Sequence, residues 1–247
     1  MALKEIEITQ MIKHPNVTEV LDFTVEGTPD DLTNRKSVIY ILLPYYKNGS
    51  LDTYLNKRAK FQDNIAEQQV LQIFLGICEG LRKIHESSIA HRDIKVANIC
   101  LSETMDPVIV DFGSATTARS EIYNQSEAMA LMDLAEEKCS LCYRAPELFQ
   151  VESCAFIDER SDIWSLGCLL YALCFFKSPF DLIYEKGDSV SLAVISGNIK
   201  FPENSVYSTE MHEMILQMLR VNPIERPFIY GVIEKCQDLI TKLENRL

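Results

Sequence analysis

The chain has 247 residues, 47% hydrophobic and 24% charged, enough for one globular domain with a sizeable core. A formal net charge of −12 argues against nucleic acid as the main partner and against an anionic membrane surface. The longest apolar run, Ile163 to Phe176, falls short of the roughly 18 residues of a membrane-spanning helix. The eight cysteines follow no disulfide framework, and Cys139-Ser140-Leu141-Cys142 is a lone C-x-x-C without a second pair. They read as reduced thiols of a soluble, cytoplasmic protein.

In chain order, Ala2–Lys13 is predicted as a helix stopped by His14-Pro15-Asn16. Two strands are expected at Val17–Val25 and Ser37–Leu43, joined by the polar stretch Glu26–Lys36. Pro44 interrupts, and Asn48-Gly49-Ser50 reads as a turn into a short helix. Around Asn64–His85 the residues Val70, Ile73, Phe74, Ile77, Leu81 and Ile84 form one helical stripe. Gly76 and Gly80, one turn apart within it, point to close packing rather than to a ligand. Further helices are predicted near Gln125–Lys138, Glu159–Phe175, Ser189–Ser196, Thr209–Leu219 and Tyr230–Leu243. No internal repeat, low-complexity tract or Gly/Ser linker interrupts this order.

The motifs with chemistry are His91-Arg92-Asp93-Ile94-Lys95-Val96-Ala97-Asn98, Asp111-Phe112-Gly113 and Ala145-Pro146-Glu147. A lone Asp or Asn is ordinarily a turn or cap residue. Three motifs in this order, with Asp93 and Asp111 eighteen apart, instead resemble the catalytic loop, metal-binding turn and activation-segment anchor of a eukaryotic protein kinase. The resemblance narrows to the Numb-associated kinase family through residues 139–147, Ile157-Asp158-Glu159-Arg160 and Tyr184-Glu185-Lys186-Gly187-Asp188-Ser189-Val190. The segment Asp111–Glu147 is long for a kinase, and that family fills such length with a helix, matching Gln125–Lys138.

The resemblance implies an α+β, protein-kinase-like fold with a mainly helical larger lobe and a partial smaller one. Residues 1–43 would be the partial smaller lobe, 44–49 the hinge and 50–247 the larger lobe. It also implies transfer of the ATP γ-phosphate to Ser or Thr of a protein substrate, with Mg²⁺. Asp93 would accept the hydroxyl proton, Lys95 would steady the γ-phosphate, and Asn98 and Asp111 would supply hard oxygen ligands to the metal. Arg92 would hold the activation segment, Glu147 would pair with Arg226, and Asp162 would hold the catalytic-loop backbone. Adenine would lie near Leu43, Tyr45, Tyr46 and Cys100. Ser140 fits a Ser/Thr acceptor, and Ala97, in place of a glutamate, implies no strong demand for arginine upstream of it.

The chain departs from the family pattern at its start. None of its nine glycines forms a G-x-G, and no lysine-bearing strand precedes Glu5, the helix glutamate that such a lysine would meet. The chain is therefore expected to begin inside the smaller lobe, with residues 1–43 loosely held and catalysis by this polypeptide weak. A catalytically inactive kinase that serves as a protein-binding module is the alternative. Met1-Ala2-Leu3 lacks the glycine for N-myristoylation that lipid-anchored relatives use, so no membrane insertion is expected.

Overall fold

The computed structural model describes residues 2–27 and 38–245. Its elements are α1 (Ala2–Met11), β1 (Asp22–Glu26), β2 (Val38–Leu42), α2 (Leu51–Phe61), α3 (Glu67–Glu86), β3 (Ile89–Ala90), β4 (Ile99–Leu101), β5 (Pro107–Ile109) and β6 (Thr116–Thr117). They continue with β7 (Ser120–Ile122), α4 (Gln125–Lys138), β8 (Ala155–Ile157), α5 (Arg160–Phe175), α6 (Asp181–Glu185), α7 (Val190–Ser196), α8 (Thr209–Met218) and α9 (Ile229–Glu244). The architecture is α+β: mostly helical, with four separate antiparallel strand pairs, β1–β2, β3–β6, β4–β5 and β7–β8.

The core is built around α3 and α5. The stripe of α3 is fully inside, and it packs on α9, β5 and α5. Helix α5 is buried almost all round, from Ser161 to Cys174, as expected of a helix with apolar residues on every face. Its Trp164 stacks on Phe180 at 5.9 Å between ring centroids. Because α5 is central and rigid, a polar side chain on it can hold a distant loop in one place. That is the use made of Asp162 below.

Local chemistry explains the element boundaries. Ser50 caps α2 by accepting from Thr53 N at 3.3 Å, and Asn124 caps α4 by accepting from Glu127 N at 3.0 Å. The helix predicted over Gln125–Lys138 has those bounds in the structure. The strand expected at Val17–Val25 begins later, at Asp22. Tertiary pairing captures its first residues: Thr18 N donates to Ile109 O and Ile109 N donates to Asn16 O, both at 2.9 Å, with Val17 in a parallel bridge to Ile109. Ser37 and most of the Glu26–Lys36 connection lie outside the described residues. The five-residue α6 and the strand pairs within residues 89–157 carry too little periodicity to be read from sequence.

Among the described residues β2 pairs with β1 alone, and every β1 residue is exposed. By contrast α1 buries Ile6 and Ile8, and Ile12 directly after it is buried too, so the helix is the anchored part of this region.

Gly80 sits where Asn16 crosses α3. A Cβ there would lie 2.6 Å from the Asn16 carbonyl oxygen, and one on Gly76 would lie 2.7 Å from Pro107 Cγ. The obstacle at Gly80 is backbone, which cannot turn aside. Gly80→Ala should therefore destabilise the fold by about 1–3 kcal/mol, outweighing a gain of about 1 kcal/mol in helix propensity. Thermal unfolding should show a lowered Tm, whereas an unchanged or raised Tm would contradict this packing.

Candidate active site

The loop between β3 and β4 is held from below by one carboxylate. Asp162 of α5 is fully buried; its Oδ1 accepts from Arg92 N and its Oδ2 from His91 N, each at 2.8 Å, with His85 Nε2 at 2.9 Å from Oδ2. Burial opposes its ionisation, but the hydrogen bond from His85 and the charges of His85 and Arg92 hold the carboxyl below its ordinary range. Arg92 has a left-handed backbone at φ 65°. Such a conformation costs a non-glycine residue on the order of 1 kcal/mol or more, and the charge-assisted bonds to Asp162 offset it.

Arg92 itself is buried, donating to Ser161 Oγ at 2.7 Å and to Ala118 O at 3.3 Å. It thus ties residue 118 of the long segment to the loop and to α5. His91 is buried and its imidazole is pushed toward neutrality, chiefly by desolvation. Its Nδ1 lies 3.3 Å from the donating Asp93 N, so Nε2 carries the hydrogen that meets Val110 O at 3.2 Å. Its ring also lies 5.1 Å from that of the buried Phe112.

Above this floor, four side chains converge. Lys95 Nζ donates to Asp93 Oδ2 at 2.7 Å and to Ser140 Oγ at 2.8 Å. Asn98 Nδ2 donates to Asp93 Oδ2 and to Asp93 O, both at 2.9 Å. Ser140 N donates to Asp93 Oδ1 at 2.9 Å. Burial pushes the Asp93 carboxyl up, but these donors together outweigh it and hold the group below its ordinary value. With both Nδ2 hydrogens spent on Asp93, Asn98 keeps Oδ1 as its ligand atom.

Asp111 also has a left-handed backbone, at φ 66°, and it is exposed, with Oδ1 accepting from Gly113 N at 3.1 Å. Glu5 of α1, Leu43, Asp111 and Phe112 line one cavity of about 250 Å³. Burial, then the Asp111 charge, pushes the Glu5 carboxyl up, and among the described residues no cationic side chain lines the cavity these two carboxylates share. Asn98 Oδ1 and the Asp111 carboxylate are hard oxygen donors, the chemistry that would suit Mg²⁺. Glu5 fits a positive group that the described residues do not provide.

The remaining expected residues are more dispersed. Tyr45 is exposed, and Tyr46 is half-buried with its hydroxyl 3.2 Å from Thr18 Oγ1 and its carbonyl accepting from Gly49 N at 3.0 Å. Tyr46 lines a separate cavity of about 740 Å³ beside Pro44 and Ser102. Cys100 lies half-buried on β4, opposite Val108. Elsewhere Arg226, almost wholly buried, forms a two-bond pair with Glu147, at 2.7 and 2.6 Å, that closes the segment from Asp111. His85 is the residue that sequence reasoning passed over. It follows Leu81 by four positions, and a polar residue at a stripe position is the signal that would have found it.

The protein kinase domain family matches residues 1–236, and the chain belongs to that family. Its relatives include serine/threonine-protein kinase 16 of Rattus norvegicus, 37% identical over 239 residues that cover 96% of this chain and 76% of the relative. The Homo sapiens serine/threonine-protein kinase 16 is 36% identical over 238 residues, with the same coverage. A probable serine/threonine-protein kinase of Dictyostelium discoideum is 31% identical over 308 residues, covering 97% of this chain and 82% of the relative. The fold is thus a kinase fold, and the relatives support serine/threonine kinase function. Among the described residues no helix is long and apolar enough to cross a membrane.

The lowered Asp93 carboxyl has a consequence for stability. A depressed folded-state value stabilises the fold above the unfolded-state value near pH 4, and that stability is lost as pH falls through the folded value. Denaturant unfolding at pH 6 and pH 3 should show a smaller pH dependence in Asp93→Asn than in the parent. Equal pH dependence in the two proteins would contradict an ionised, donor-held Asp93.

Proposed function

We propose that this chain transfers the γ-phosphoryl group of ATP to serine or threonine hydroxyls of protein substrates. The observation that carries the reading is the convergence of Lys95, Asn98 and Ser140 on one ionised carboxylate, Asp93. Both Asp93 oxygens are fixed by donors, so its free lone pairs have a set direction in which to orient an acceptor hydroxyl and take its proton. Lys95 places a positive charge between Asp93 and Ser140, where negative charge develops on the transferring group. Asn98 and Asp111 are the residues that would hold Mg²⁺, which when bound neutralises the phosphate oxygens. The hydroxyl of Ser140, fixed by Lys95, supports an aliphatic hydroxyl rather than a phenol as acceptor.

We place the nucleotide base between the lobes, against Leu43, Tyr45, Tyr46 and Cys100, with residues 1–43 as smaller lobe, 44–49 as hinge and 50–247 as larger lobe. The Tyr46 carbonyl accepts one bond, from Gly49 N, and the backbone groups of Tyr45 and Tyr46 are the hinge groups we assign to adenine. Kinship with the Numb-associated kinases is supported by helix α4 inside the segment 111–147. These 247 residues contain no G-x-G, and Glu5 meets a carboxylate instead of a lysine, so we expect slow transfer by this polypeptide alone. A cytoplasmic setting accords with eight unpaired cysteines and the net charge.

The test is phosphotransfer from labelled ATP, with Mg²⁺, to an arrayed peptide library. Transfer should go to Ser and Thr, without strong selection for arginine three residues upstream, and Asp93→Asn should lower the rate by about 10²–10³. Transfer that survives Asp93→Asn unchanged, or that selects tyrosine, would overturn the assignment. Absence of transfer by a folded parent chain would favour the non-catalytic binding module.

A further inference from the structure

A serine in the middle of a helix ordinarily turns its hydroxyl back to the carbonyl four residues earlier. Ser165 of α5 does not. Its Oγ lies 3.4 Å from Ser161 O but 2.7 Å from Tyr143 O, so its one proton goes to Tyr143, outside the helix. Ser165 is buried, and among the described residues no other donor reaches the Tyr143 carbonyl. A buried carbonyl without a partner is costly, so this one bond holds residue 143 to the core.

Tyr143 closes a tight turn on a residue of the candidate active site. Its N–H donates to Ser140 O at 2.9 Å, and residues 141–143 form one turn of 3₁₀ helix. Ser140 in turn donates its N–H to Asp93 Oδ1 at 2.9 Å and accepts from Lys95 Nζ at 2.8 Å. The start of the turn is held by Arg144, whose guanidinium donates to Cys139 O at 3.0 Å. The buried polar residues of α5 are Ser161, Asp162 and Ser165, all within two turns of helix. Asp162 takes the amides of His91 and Arg92, and Ser165, three residues on, takes the Tyr143 carbonyl. Three residues of α-helix rise about 4.5 Å, so one rigid element sets the Asp93 loop and the Ser140 turn side by side.

We propose that Ser165 is a positioning residue for the acceptor side of the candidate active site. Its hydroxyl fixes the turn 140–143 and, through that turn, the Ser140 groups that meet Asp93 and Lys95. The contact stands on geometry, and its consequence for phosphotransfer rests on the kinase reading above. The role differs from that of Asp162: loss of the Ser165 hydroxyl frees the Ser140 turn and leaves the backbone of His91 and Arg92 in place.

The experiment compares the full parent chain with Ser165→Ala, Ser165→Cys and Ser165→Thr in two arms. The first is ¹H–¹⁵N NMR with hydrogen exchange at one pH, which needs no phosphotransfer. Ser165→Ala should lower protection of the Ser140 amide about tenfold and move its proton upfield, with the amides of His91 and Arg92 unchanged. Ser165→Cys, close in volume but a weaker donor, should show the same pattern at smaller size, and Ser165→Thr, which keeps the hydroxyl, should retain Ser140 protection. The second arm is transfer to a serine peptide with Mg²⁺ and ATP. There Ser165→Ala should lower kcat/KM for the peptide about tenfold and change KM for ATP by less than about twofold, with Ser165→Thr near the parent. A Ser140 amide that keeps its shift and protection in Ser165→Ala and Ser165→Cys overturns the proposal. Equal loss of protection at Ser140, His91 and Arg92 also overturns it, since Ser165 would then only pack α5. A parent chain that transfers nothing removes the kinase reading alone, and the amide arm still decides whether Ser165 sets Ser140.

Discussion

The loop between β3 and β4, which carries Asp93, depends on Asp162. A carboxylate with no solvent exposure is costly unless both oxygens are hydrogen-bonded, and here two loop amides and an imidazole bond them. The position of Asp162 on α5, the most enclosed helix, makes its oxygens fixed points. From those points the backbone of His91 and Arg92 is set, including the left-handed turn at Arg92. Asp93 follows directly in sequence, so its carboxylate emerges at a place defined by the core rather than by the loop.

The rest of the site adds donors to that frame. Lys95, Asn98 and Ser140 come from the loop and from the end of the long segment, which α4 lengthens and Glu147–Arg226 closes. Ser114 Oγ donates to Lys138 O at 2.8 Å, so the start and end of that segment are tied to each other near the site. Charge-assisted hydrogen bonds from Arg92 to neutral acceptors thus help order the segment: the guanidinium is spent on a serine hydroxyl and a carbonyl. The Glu5–Asp111 face differs in kind. It places two carboxylates around a cavity and carries no positive charge of its own among the described residues.

Much of this was legible in the sequence where chemistry is local. The stripe from Val70 to Ile84 defined α3, and the length of the segment Asp111–Glu147 together with the pattern at Gln125–Lys138 anticipated α4. The spacing of Asp93, Lys95 and Asn98 on one short loop brought them together because the chain between them has no room to separate them. What could not be read depends on tertiary partners. Val17 and Thr18 have strand composition, but Ile109 captures them before β1 begins. Asp162 and His85 are 77 residues apart in sequence, and no periodicity announces that they share a hydrogen bond. The left-handed backbones of Arg92 and Asp111 run against residue preference and persist because the surroundings over-determine them.

The most direct test of this account is amide hydrogen exchange at His91 and Arg92 in the parent chain and in Asp162→Asn at one pH. Asparagine keeps the shape of the side chain but removes the charge and turns one acceptor into a donor. The account predicts that protection at His91 and Arg92 falls toward that of exposed loops, while the amides of α3 and α9 keep core-like protection. Unchanged protection of the two loop amides in a folded Asp162→Asn would show that the loop is held by something else, and would contradict the central claim.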